Sequence, residues 1–131
     1  MADVAEKLMA AATRGKLIES VMRLAQPGSP VGGLSGLIQR LESKGMGRQA
    51  QSWVSKGENE PVSGTQVREA LGDEQMRGIA ARSGLSVPEA SDAMAQVLPQ
   101  AVDKLTDDGR VPEGSALDDR IAHLAKQFLG R

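Results

Sequence analysis

The sequence predicts an all-α fold: a compact bundle of about six to eight short helices, led by a longer amphipathic helix on a Pro/Gly linker. Three observations predict it. Apolar residues return at steps of three and four in segment after segment. Most of those segments are bracketed by residues that start or stop helices. No run alternates apolar and polar as a half-buried strand would, and no internal repeat recurs at a fixed period. A chain of 131 residues suits one hydrophobic core. Trp53 and Phe128 are its only aromatic residues, so the interior must be built from Leu, Val, Ile, Met and Ala.

The first helix is expected from Val4 to Ala25, with Val4, Leu8, Ala11, Ile18, Val21, Met22 and Ala25 forming its apolar stripe and Gly15 on the same face. It should end at Gln26-Pro27-Gly28-Ser29-Pro30, where two prolines and a glycine oppose helical continuation. Leu34, Leu37, Ile38 and Leu41 define a second helix, closed by Lys44 and then Gly45. A third short helix, about Arg48 to Lys56, carries Trp53 and Val54, and Gly57-Glu58-Asn59-Glu60-Pro61 reads as a loop.

Ser63 with Gln66 and Ser86 with Glu89 have capping-box spacing, and Asp73 is placed to cap the helix between them. These three helices run through Val67 and Leu71 to Gly72, through Met76 and Ile79 to Gly84, and from Val87 through Met94 to Leu98. Pro99 should kink or break the last of them, with helix resuming briefly at Ala101, Val102 and Leu105. Thr106-Asp107-Asp108-Gly109 then turns the chain, and Leu117, Ile121, Leu124 and Phe128 make a terminal helix. The expected organisation is an amphipathic helix over residues 1–26, a Pro/Gly linker over 27–33 and a helical domain over 34–131.

Composition excludes some functions. Without cysteine there are no disulfides, thiolate ligands or thiol nucleophiles. No stretch approaches the run of about 18 apolar residues needed to span a bilayer, and the acidic N-terminus lacks a signal-peptide h-region, so the expected compartment is the cytoplasm. Charge is lopsided: residues 1–57 carry eight bases and four acids, residues 58–131 eight bases and thirteen acids. Such asymmetry steers an encounter, but no block of like charge marks a nucleic-acid tail or membrane anchor.

Several short motifs recur in one order: Gly45-Met46-Gly47, Ser52-Trp53-Val54, Gly57 to Ser63, Ala70-Leu71-Gly72, Gly84-Leu85-Ser86 and Leu98 to Leu105. Together they resemble the bacterial YidB-like domain over roughly residues 31–112, with a weaker likeness in the flanking helices. The resemblance implies a compact multi-helix bundle. That family is a domain of unknown function without assigned catalytic residues, so the resemblance implies no site.

The segment Asp73 to Leu98 has the form of a helix–turn–helix, with Ile79, Ala80, Gly84, Leu85, Ala90 and Ala93 where small or apolar residues are wanted. Ser83 interrupts the pattern. The second helix offers Glu89 and Asp92 with no Lys or Arg, and the unit carries a net charge of −2, whereas DNA readers depend on positive charge. A structural helix pair accounts for the pattern as well. His123 has Asp119 one turn before it but lacks the third member of a triad. Asp103, Asp107, Asp108 and Glu113 fail a calcium-loop test, because Lys104 and Ser115 would occupy its first and twelfth ligand places. The glycines at 28, 32, 33, 36, 45 and 47 lack a Walker lysine and a preceding strand.

No catalytic, cofactor-binding or metal site is therefore expected. By elimination, the expected function is that of a non-enzymatic helical module acting through protein–protein contacts, self-association included. Its candidate surfaces are Trp53, Val54, Asn59, Pro61 and Val62, since tryptophan beside a polar loop suits an interface, and the first helix through Leu8, Ile18 and Met22. Lys7, Arg14, Lys16 and Arg23 surround that helix's stripe, which suits a partner's groove or an anionic membrane surface, with packing on its own bundle the plainer reading. The alternative, which the charge disfavours, is a nucleic-acid-associated protein whose phosphate contacts come from Arg40, Lys44, Arg48, Arg77 and Arg82. An enzyme would need a pocket holding Asp103, Asp107 or Glu113.

Overall fold

The computed structural model of the chain describes residues 11–55, 58–106, 109–112 and 114–129. Among these are seven helices and no strand: α1 (Ala11–Ala25), α2 (Gly33–Ser43), α3 (Gly47–Val54), α4 (Gly64–Leu71), α5 (Asp73–Ser83), α6 (Val87–Leu105) and α7 (Gly114–Leu129). The all-α expectation holds. The part of the first helix expected before Ala11, with Leu8, lies outside the described residues.

Helix α6 is the axis of the bundle, packing against α1, α3, α4, α5 and α7. Its sequence explains that position, because Ala90, Ala93, Met94, Val97, Leu98, Ala101, Val102 and Leu105 are all buried along 19 residues. Pro99 does not break it. A proline inside a helix removes one backbone hydrogen bond and crowds the preceding turn, at a cost of about 3 kcal/mol. Here both halves of the helix bury apolar faces, and Pro99 itself is buried between them, so packing outweighs the local penalty.

The local signals act as the side chains dictate at most boundaries. Both capping boxes form: Ser63 Oγ accepts from the Gln66 amide at 3.1 Å, and Ser86 Oγ accepts from the Glu89 amide at 3.2 Å. Gly45, at φ +85°, ends α2 with the Met46 amide donating to the Leu41 carbonyl at 2.8 Å. Asp73 is the exception. It opens α5 but does not cap it; Gly72 holds the cap position without a side-chain bond, while the Asp73 carboxylate accepts from Arg68 Nε at 2.8 Å. The guanidinium outcompetes the backbone amides for that carboxylate, which still favours the positive end of the α5 dipole.

Residues 26–33 do not behave as a tether between two units. Ser29 stitches the end of α1 to the start of α2: its hydroxyl donates to the Leu24 carbonyl at 2.7 Å and accepts from the Gly33 amide at 2.9 Å. Val31 is buried, and α1 packs against α2, α5, α6 and α7 through Leu17, Ile18, Val21, Leu24 and Ala25. Leu17 and Leu24 widen the buried stripe beyond the sequence expectation, so α1 shares the common core.

Candidate interaction surfaces

The tryptophan region is built from the inside. Trp53 is fully buried, its Nε1 donates to the Glu60 carbonyl at 2.8 Å, and its own carbonyl accepts from Thr106 Oγ1 at 3.2 Å. The Glu60 amide in turn donates to Ser52 Oγ at 2.8 Å. This indole is therefore a post that holds the 58–62 loop against α3, and its side chain is not available as an interface anchor. Around it Val54, Asn59 and Val62 are half-buried and Pro61 is exposed. Asn59 Oδ1 is buried without a hydrogen-bond partner. Ile18 and Met22, expected as docking residues, are buried in the common core because α1 packs down on four neighbours.

The helix–turn–helix geometry exists, as α5, a turn at Gly84 in left-handed conformation, and α6. Its would-be reading helix is occupied by the fold. The first residue of α4 lies so close to α6 that a Cβ on Gly64 would run into the Asp92 carboxylate and come within 3.0 Å of the Asp92 backbone nitrogen. The exposed residues at the cap and in the N-terminal half of α6 are Ser86, Pro88, Asp92 and Gln96. None is basic.

The five candidate phosphate contacts are dispersed. Arg40 is consumed internally, donating to the Leu71 carbonyl at 3.5 Å and the Pro30 carbonyl at 3.3 Å, and so ties α2 to α4. Lys44 and Arg48 are exposed at the α2–α3 corner, while Arg77 and Arg82 are exposed on α5, a helix that does not pack on α2 or α3. Near Arg77, the Asp73 carboxyl is held below its usual range, first by the Arg68 hydrogen bond and then by the Arg68 charge, with Arg77 adding a smaller pull.

Two concave features were not singled out from sequence. The first is an open groove of ≈ 600 Å³ along α2, lined by Val31, Gly32, Ser35, Gly36, Gln39, Arg40 and Ser43. It is signalled by the same wheel that places Leu34, Leu37, Ile38 and Leu41 in the core, since the opposite side of α2 carries Ser35, Gly36, Gln39 and Ser43, with Arg40 and Glu42 its charged members. The second is a depression between α1 and α5 lined by Lys16, Glu19, Ser20, Arg23 and Arg82. Its residues come from segments over 50 positions apart, so only the packing of α1 on α5 reveals it. His123 and Asp119 are both exposed, and no hydrogen bond or ion pair joins them among the described residues. Asp107, Asp108 and Glu113 lie outside the described residues. No group of three or more His, Asp or Glu able to hold a metal ion occurs among the described residues, and no described helix is long and apolar enough to cross a membrane.

Comparison with known proteins places this architecture. A curated relative, the uncharacterized protein YidB of Escherichia coli (strain K12), is 33% identical over 81 residues, which is 61% of this chain and 61% of that protein. The match thus spans about three-fifths of the relative's length. A solved structure of a homeodomain-like protein of unknown function from Shigella flexneri superposes with a TM-score of 0.69 at 27% identity, covering 86% of this chain and 87% of that one. The model of the YidB-like protein family matches residues 5–114, so α1 lies inside the family domain together with the motifs from Gly45 to Leu105. The chain belongs to the YidB-like protein family.

Proposed function

We propose that this protein is a non-enzymatic helical assembly module that docks a protein partner, in the first place a second copy of itself, along the groove of α2. The observation that carries the reading is the ≈ 600 Å³ groove, which is uncharged except for Arg40, whose guanidinium is already engaged. Gly32, Ser35, Gly36, Gln39 and Ser43 recur at helical spacing, so another helix can approach closely over small side chains. Ser35 and Gln39 can each donate and accept, while Ser43, whose hydroxyl donates to the Arg40 carbonyl at 2.9 Å, can still accept, so the face can pair with its own copy about a two-fold axis. An 11-residue helix is only about 16 Å long. Its face buries less than the roughly 1,200 Å² of a stable complex, so the expected dimer is weak and concentration-dependent.

Sedimentation velocity on the full chain, up to about 1 mM where contacts of this size associate, tests it. Wild type should dimerise reversibly, and Gln39→Arg, which sets two like charges face to face across the axis, should remain monomeric. A wild type that is monomeric throughout, or a Gln39→Arg variant that still dimerises, removes the reading.

A nucleic-acid reading retains one supporting observation, the likeness to a homeodomain-like protein together with exposed Arg77 and Arg82 on the first helix of the unit. It ranks second because the acidic, partly covered α6 face would repel phosphate. Salt-sensitive binding of a generic duplex is its test.

A further inference from the structure

Where α1 lies against α5, the depression of ≈ 210 Å³ lined by Lys16, Glu19, Ser20, Arg23 and Arg82 shares no residue with the α2 groove. Its charges are brought together by register. Lys16 and Arg23 are seven residues apart, two turns of α1, so both rise from one face. Leu17, Val21 and Leu24 point into the core and fix the rotation of that helix. Arg82 comes from the last turn of α5. Its guanidinium folds back over the preceding turn beside Gly78, with Nη1 3.5 Å from where a Cβ on that glycine would stand.

Lys16, Arg23 and Arg82 are exposed, and among the described residues none of them forms an ion pair. Glu19 is the one carboxylate on the rim and has an interaction of its own. The Ser20 hydroxyl is spent on the Lys16 carbonyl at 3.1 Å. Three cations around one depression repel each other, and an anion seated among them relieves that repulsion. Two guanidinium forks and an ammonium match a phosphoryl group, whose several oxygens accept from more than one donor at once. The volume equals about seven waters at roughly 30 Å³ each, enough for one or two phosphoryl groups. No aromatic side chain lines it, so nothing there stacks a base as a single-strand channel does.

The geometry points to a binding site for a phosphomonoester or diphosphate, held by Lys16, Arg23 and Arg82. The test is a ¹⁵N–¹H NMR titration of the full chain with inorganic pyrophosphate at low ionic strength, with sodium chloride at matched ionic strength as control and a generic DNA duplex as a separate arm. Saturable shifts should appear from Lys16 to Arg23 and around Arg82. Arg82→Gln and Arg23→Gln should each weaken binding about tenfold, as expected for one lost charge-assisted bond. Glu19→Gln should tighten it, and Lys44→Gln, an exposed base elsewhere, should leave it unchanged. Shifts reproduced by chloride, shifts that do not saturate, or affinity indifferent to both arginine variants would overturn the site. Binding of the duplex without pyrophosphate would replace it with a polyanion surface.

Discussion

Replacing glycine by alanine at two helical positions should move stability in opposite directions. In a helix interior the change normally gains about 0.5–1 kcal/mol, because alanine loses less backbone freedom on folding. Gly78 in α5 meets that condition, since a Cβ there would have only the tip of Arg82 near it, in ordinary contact at 3.5 Å. Gly36 in α2 does not. A Cβ on it would run into the Val31 carbonyl oxygen and stand 3.0 Å from the carbonyl carbon. Both obstacles are backbone, Val31 is locked in the core, and Ser29 pins the preceding turn on both sides, so no side-chain rotation relieves the clash. Overpacking of this kind costs about 1–3 kcal/mol or more, which exceeds the propensity gain. With about 3–5 °C per kcal/mol for a domain of this size, Gly78→Ala should raise the melting midpoint by about 2–5 °C. Gly36→Ala should lower it by a similar or larger amount. Thermal and urea unfolding followed by circular dichroism at 222 nm reads both. A Gly36→Ala variant as stable as wild type would refute the close approach of residue 31 to α2, and with it the docking of the 26–33 turn.

Three further substitutions test other joints. Ser83 is buried with its hydroxyl unpaired, so Ser83→Ala should stabilise the protein by about 1 kcal/mol; a lower urea midpoint would mean that the hydroxyl finds a partner in solution. Trp53→Phe removes the bond to the Glu60 carbonyl and part of a fully buried ring, and should cost about 2–3 kcal/mol while speeding limited proteolysis of the 58–62 loop. A loop cleaved at the wild-type rate would show that the indole does not hold it. The Asp73 carboxyl is depressed by Arg68, so its contribution to stability is present above the unfolded carboxylate value and is lost as pH falls through the lower folded one. Arg68→Gln should therefore flatten the stability profile only below about pH 4; a change centred near neutrality would assign the effect to other groups.

Much of the fold is legible in the sequence because its signals are local. A capping box needs four consecutive residues, and both of them form; Gly45 and Gly84 end helices because their left-handed conformations suit glycine. Signals decided by tertiary contacts are not legible in this way. Pro99 predicts a break only if the two halves of α6 pack separately, and they do not. Gln26 to Pro30 predicts a tether only if Ser29 and Val31 face water, and one is hydrogen-bonded to both helices while the other is buried. The same holds for the surfaces. Trp53, Ile18 and Met22 have interface character by residue type, but a core short of aromatics takes its large side chains from wherever they occur.

The helix–turn–helix in this chain shows why shape and use must be argued apart. Two helices joined at Gly84, with Ile79, Ala80, Leu85, Ala90 and Ala93 buried between them, satisfy a packing requirement that holds whether or not DNA is read. Reading DNA adds conditions on the outer face of the second helix: open backbone, basic residues and freedom to enter a groove. Here α4 sits on that helix at Asp92 and its exposed residues carry no base, so the added conditions are unmet there. Exposed cations lie elsewhere, with Arg82 of α5 lining one depression together with Lys16 and Arg23 of α1. Exposed positive charge thus gathers between α1 and α5 and not on the outer face of α6, so the helix–turn–helix shape by itself carries no DNA-reading use here.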